Sequence, residues 1–152
     1  MYHQIVRNKV LQAFAEINEG RYENVVKSFA DNHRHIFFGE HALAGVRTST
    51  AETAQWYQRL SRLIPDLKFE LHQILVSGMP WSTVIMVEWT DHFTVDGEAM
   101  SNSGVHHMRM KWGKLTELAI YCDTQKLAKV LELKAASGMN EAGAEIIGAL
   151  LT

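Results

Sequence analysis

Residues 81–95, 98–110 and 115–122 read as three long consecutive β-strands, and the turns between them, Asp96-Gly97 and Trp112-Gly113, leave almost no slack. Asp-Gly between two alternating runs is the strongest short-range hairpin signal a sequence can carry. Three strands joined this way must lie antiparallel in one sheet. Such a sheet has an apolar face that other elements have to cover.

The covering elements come first in the chain. Val6, Val10, Ala13, Phe14 and Ile17 recur at helical spacing up to Gly20, and Tyr22, Val25, Val26 and Phe29 mark a shorter second helix broken at Asp31-Asn32. Residues 33–38 form a strand candidate and 39–47 a loop. Ser49-Thr50-Ala51-Glu52 is a capping box that opens a third helix with Trp56, Tyr57, Leu60 and Leu63 on its apolar side, stopped by Pro65. From Leu67 the period changes to two, with Leu67, Phe69, Leu71 and Leu75 on one face. After the long strands, Asp123 or Thr124 caps a helix with Leu127, Val130 and Leu131 inward. Helices gathered before strands predict an α+β fold: a cone-shaped barrel built from a curved, antiparallel or mixed sheet, with the N-terminal helices on its concave face enclosing a pocket. Residues 1–133 make up that domain, and 134–152 are a tail or an extra helix.

The 152 residues suffice for one core, and a net charge of −2 provides no basic footprint for nucleic acid or an anionic membrane. No apolar run is long enough to span a bilayer, and the N-terminal segment lacks the uninterrupted apolar stretch of a signal peptide. With Cys122 as the single cysteine, no internal disulfide can form and a cytoplasmic location is expected. His33, His35 and His41 have no carboxylate or thiol at ligand spacing beside them, so no metal site is expected.

Which side chains look into the cone depends on register, since a slip of one residue exchanges the faces. Two-residue turns put Asp91 across from Asn102, and Asn102 across from Asp123. Three-residue loops pair Trp89 with Ser103 and Asp91 with Ser101, then Val105 with Ala119 and His107 with Glu117. Trp89, Asp91, Tyr121 and Asp123 share a face in either arrangement. The difference lies in whether His106 or His107 joins them.

The runs NEGRYENVVKSFADN, LAGVRT before the Trp-Tyr helix, and GVHHMRMKWGKLTELAIYCDTQKL resemble the SnoaL-like branch of the nuclear transport factor 2-like superfamily over residues 5–133. The resemblance implies the cone fold, favours the three-residue loops, and so places His107 in the pocket. The family spans isomerases, cyclases, epoxide hydrolases, dehydratases and non-catalytic binders. The Tyr and Asp of ketosteroid isomerases fall on Phe14 and about Phe38, so that activity is not implied. Limonene-epoxide hydrolases carry Arg-x-Asp on one strand and a second Asp before the last helix. Here Asp91 and Asp123 keep both acids, while Trp89 stands at the Arg position. The polyketide cyclases place their acid/base at Asp123, with His107 and Arg109 on the neighbouring strand.

The expected catalytic set is therefore Asp123, His107 and Asp91, with Phe14, Phe38, Trp56, Trp89, Ser103, Val105, Arg109 and Tyr121 binding the ligand. The expected function is acid/base chemistry without a cofactor (isomerisation, cyclisation, dehydration or hydration) on a small, apolar, cyclic molecule. The alternative is a non-catalytic ligand-binding or dimerisation module. Val84, Met86, Met108, Met110, Leu118 and Ile120, read as the outer face, predict a homodimer through the sheet.

Overall fold

Apolar residues at helical spacing become helix, and alternating ones become strand. In the computed structural model, which describes residues 1–151, α1 (Tyr2–Asn18) buries Val6, Val10, Phe14 and Ile17 along one stripe. Gly20, with φ 76°, ends it, and α2 (Tyr22–Val26) is only five residues long. The next strand, β1 (Phe29–Phe37), starts four residues before the expected His33. Asp31-Asn32 lies within it, where the register against its neighbour shifts between Phe29 and Arg34. His33 stabilises that irregularity by bonding the Ala30 carbonyl at 2.6 Å and the Thr53 hydroxyl at 2.7 Å. Within the expected loop the structure has a short strand, β2 (Gly45–Arg47), too brief to carry a periodic signal.

The capping box forms as predicted: Ser49 accepts from the Glu52 amide at the start of α3 (Thr50–Leu63), whose buried side carries Trp56, Tyr57, Leu60 and Leu63. Then come β3 (Lys68–Met79), β4 (Ser82–Val95), β5 (Glu98–Lys111), β6 (Lys114–Cys122) and α4 (Thr124–Ala136), the last capped by the Asp123 side chain. The six strands make one mixed sheet in the order β2-β1-β6-β5-β4-β3. β1 and β6 run parallel and every other pair is antiparallel. The fold is thus α+β, with a curved, open sheet whose inner face the helices cover.

Both hairpins turn on two residues. Val95 pairs with Glu98, and Lys111 with Lys114. Asp96 and Gly97 (φ 51° and 80°) and Trp112 and Gly113 (50° and 81°) all sit in the left-handed region that such turns require. The three-residue loops are therefore not used. A bulge at Thr116 then adds one residue to β6, so that Arg109 faces Glu117 where Met110 faces Leu115. The row containing His106 consequently continues into Ile120, and Gly104 lies across from Cys122. Met108, Met110, Leu118 and Ile120 are all buried inside. Four of the six residues on which the outer-face dimer rested therefore belong to the core.

Residues 137–151 fold back over α3 and β2. A 3₁₀ turn (Asn140–Gly143) places the Glu141 carboxylate against Arg59 and Arg62, and Ala149 bridges to Val46 through two 2.8 Å backbone bonds that shield the short edge strand. Beneath them Arg47 is fully buried without a carboxylate partner. Its guanidinium donates to His35 Nδ1 and to the carbonyls of Ala44 and Ile147, and it lies 5.4 Å from the Trp56 ring. Burial pushes it down to about 10, so it stays charged at neutral pH. His35 is held neutral, well below the usual imidazole range, by burial and by that guanidinium.

Arg47→Met should lower stability by about 3 kcal/mol, because it strands buried acceptors on three segments at once. Residues 137–151 should also become sensitive to protease. Arg62→Ala, at an exposed pair, should change stability by less than ~1 kcal/mol. Denaturant unfolding and limited proteolysis measure both.

Candidate functional site

With the register settled, the inner faces of three strands converge. β4 points Ile85, Val87, Trp89, Asp91 and Phe93 inward. Across from them lie Asn102, Gly104, His106 and Met108 of β5, then Leu118, Ile120 and Cys122 of β6. Of these, Trp89, Asp91, Asn102, His106, Ile120 and Cys122, together with Ile17, Trp56, Tyr57, Leu60 and Leu127 from the helices and Ile64 just after α3, bound a cavity of about 40 Å³. That is space for two or three waters, far below the roughly 300–1,000 Å³ of a site that engulfs a drug-sized ligand. The two indoles occupy most of the rest. Trp56 is pinned by its N–H to the Leu43 carbonyl at 2.8 Å.

Trp89 organises the polar side of this hollow. Its Nε1–H donates to His106 Nδ1 at 2.7 Å. Nδ1 must then be unprotonated, which leaves the single ring proton of the neutral imidazole on Nε2. Burial pushes His106 down to about 3, so it stays neutral. The indole can lie here because its cross-strand neighbour is Gly104. A Cβ at that position would stand 2.6 Å from the ring and 2.2 Å from the Tyr121 carbonyl oxygen.

Asp91 is the one carboxylate lining the cavity. Its Oδ1 accepts from the Asn102 amide at 2.8 Å. Burial raises its pKa to about 6, against the opposing pull of that amide, His92 and Lys126. Asn102 is itself held, donating to the Asp123 carbonyl at 3.1 Å and accepting from the Ser103 amide at 2.9 Å. Cys122 is pushed up to about 12 by burial and by the charges of Asp91 and Asp123, so at neutral pH it is a thiol and a poor nucleophile.

Several expected positions lie elsewhere. His107 is on the outer face, opposite Met86 and Ala119, and the inward imidazole belongs to His106. Asp123 is exposed and caps α4, accepting from the Lys126 amide at 3.0 Å, so it does not share the hollow with Asp91. Tyr121 is 47% exposed and stacks on Phe38 outside, while Cys122 and Phe37 take the inward positions beside them. Ser103, Val105 and Arg109 also face outward, and Arg109 pairs with Glu117. Trp56 and Trp89 line the cavity. Phe14 packs against His106 with ring centres 5.2 Å apart, but opens onto a different space. On β5 and β6 each misplaced residue is one position from an inward one. Two-residue turns would have revealed Asn102 and His106, whereas nothing local announces the Thr116 bulge that turns Cys122 inward. Among the described residues no three metal-ligating side chains come together. His33, His35 and His41 are each engaged by neighbouring groups.

The profile of the SnoaL-like domain matches residues 10–118. No curated protein matches the sequence. Among solved structures, a nuclear transport factor 2-like protein of unknown function from Burkholderia pseudomallei is similar at 17% identity, over 82% of this chain and 95% of its own, with a TM-score of 0.71. TerC, co-crystallised with polyporic acid, is 16% identical over 81% of this chain and 95% of its own, with a TM-score of 0.66. SalBIII, an epoxide hydrolase/cyclase-like enzyme of pyran ring formation, is 16% identical over 81% and 94%, with a TM-score of 0.67. At these identities the likeness is one of fold.

Asp91, raised from 3.8 to about 6, destabilises the folded state once it ionises. The penalty is absent below about pH 4, grows as pH rises through 6, and reaches on the order of 3 kcal/mol. Asp91→Asn should therefore melt higher than the parent at pH 8 and match it at pH 4, as thermal scans would show. Gly104→Ala should cost about 3 kcal/mol and break the indole–imidazole bond, visible as a red shift in tryptophan fluorescence.

Proposed function

The chain belongs to the SnoaL-like domain family, and we propose that within it this protein is a cofactor-independent acid/base enzyme acting on a small, largely apolar, cyclic carbonyl compound. The observation that carries the reading is one cavity lined by both a carboxylate raised to about 6 and an imidazole held neutral. A base with a pKa near the working pH combines the right protonation state with a real driving force for proton transfer. A neutral imidazole N–H can donate to an oxygen that gains charge without giving up its own proton.

In this scheme the ionised Asp91 takes a proton from the carbon beside the carbonyl. The C–H electron pair becomes the new C=C bond, the carbonyl π pair moves onto oxygen, and His106 Nε2–H donates to the resulting enolate. Where the ketone is β,γ-unsaturated, return of the proton from Asp91 to the γ-carbon of the dienolate re-forms the carbonyl and completes an isomerisation. Alternatively, attack of the enolate carbon on a second carbonyl of the same molecule closes a ring, and the new alkoxide takes the proton held by Asp91. Asn102 holds Asp91 in place through its amide. The neighbours support a small organic ligand: one was co-crystallised with polyporic acid, and another takes part in pyran ring formation.

The 40 Å³ volume means that only the reacting end of such a ligand enters unless the walls retract. Trp56 and Trp89 are tied by hydrogen bonds, whereas Ile64, Leu67 and Leu127 are held in the wall by apolar packing alone. The second reading is a ligand-binding or dimerisation module of the same fold without chemistry.

Deuterium exchange at the α-carbons of a panel of cyclic ketones and 1,3-diketones, followed by NMR in D₂O, separates the two. An enzyme should accelerate exchange of at least one compound, with a rate that rises through an apparent pKa of about 6. Asp91→Asn should lower that rate by about 10²–10⁴. A panel that shifts the resonances of the site without any exchange would establish a binder instead.

A further inference from the structure

The larger cavity of this molecule lies on the other side of Phe14, and the acid/base reading does not use it. It measures about 450 Å³, more than ten times the space around Asp91. It exists because α1 packs chiefly on β3 and α2, and α2, at five residues, is too short to fill the gap over the lower halves of β4, β5 and β6. Val10, Phe14, Ile85, Met108, Met110 and Leu115 form its walls and floor, and none of them is more than 8% exposed. The floor carries no titratable group. Two methionines there provide an adaptable surface suited to flexible apolar chains.

The charges are confined to the rim. Glu16 is engaged by Arg21 and by the Asn24 amide. Lys9 makes no hydrogen bond or ion pair among the described residues. It reaches across the mouth from α1 to the β5–β6 turn, its Nζ 3.5 Å from where a Cβ on Gly113 would stand. That turn is flanked by Lys111 and by Lys114, whose Nζ donates to the Lys27 carbonyl at 2.9 Å. Lys9 therefore presents an uncommitted positive charge above an apolar trough.

We propose that this cavity binds a linear amphiphilic carboxylate, with the chain lying over Met108 and Met110 and the head group at Lys9. A chain of ten carbons fits with room to spare: at the ~30 Å³ share of a water for each carbon, it fills roughly two-thirds of the 450 Å³. The head stays at the mouth in contact with solvent, so no charge is buried. Neutral and cationic amphiphiles of the same length would fill the trough but find no partner at Lys9.

Calorimetric titration of the full chain with decanoate, decanol and decyltrimethylammonium tests this. Decanoate should bind most tightly. Lys9→Gln should weaken it about threefold and Lys9→Glu about tenfold, with decanol unchanged. Ala13→Trp, which fills the trough, should weaken decanoate and decanol at least tenfold. Gln12→Trp, at an exposed position on the rim, should do the same if the first variant folds poorly. Asp91→Asn should leave decanoate affinity unaltered, which separates this site from the acid/base cavity. The proposal is overturned if decanoate fails to bind at millimolar concentration, or if both tryptophan variants bind it normally. It is overturned equally if Asp91→Asn abolishes binding, or if head-group charge and Lys9 make no difference.

Discussion

Side chains on a β-strand alternate between faces, so pairing Val95 with Glu98 decides the inner wall of this molecule along the whole of β5. Asn102, Gly104, His106, Met108 and Met110 then share one face, and a single strand floors both cavities. The Thr116 bulge performs the same selection on β6, exchanging Tyr121 for Cys122 at the cavity wall. An odd residue in the β4–β5 turn would present Ser103, Val105 and His107 to the helices and leave Met108 and Met110 in water.

Inside that frame, a large side chain and an absent one work together. Gly104 lets the Trp89 indole lie flat across the strand pair, and the indole N–H then dictates the tautomer of His106. The packing that makes room for the ring thus also sets which nitrogen can donate to a ligand. Asp91 sits next to this pair in a place chosen against its own stability, since burial opposes its ionised form. Groups held at such a disadvantage concentrate where a protein does chemistry.

The two cavities divide the inner face by chemistry as well as by position. Around Asp91 the space is small, tightly walled by aromatic rings, and furnished with directional hydrogen-bonding groups. Beyond Phe14 it is wide and apolar, and charged only at the rim. Phe14 packs against His106 on one side and borders the large cavity on the other. One ring therefore forms the partition. The folded-back residues 137–151 lie over α3 and β2, held by buried Arg47 and by the Glu141 pairs.

Strong local patterns were enough to read the elements. The stripe Val6, Val10, Phe14, Ile17, the capping box at Ser49 and the Asp96-Gly97 turn each specify their structure within a few residues, and the sum of them, together with the family resemblance, points to α+β with helices on a curved sheet. Trp56, Trp89 and Asp91 were placed in the cavity for the same reason, being on the inner side of elements with clear periods. Short or irregular pieces were not legible: β2 has three residues, and the bulge around His33 depends on bonds to Ala30 and Thr53. What only the tertiary structure decided is parity. A strand's sequence says that its faces differ, but the length of the β4–β5 turn determines which face of β5 is inside, and the Thr116 bulge determines it for β6. That is why His106 and Cys122, and not His107 and Tyr121, look into the protein.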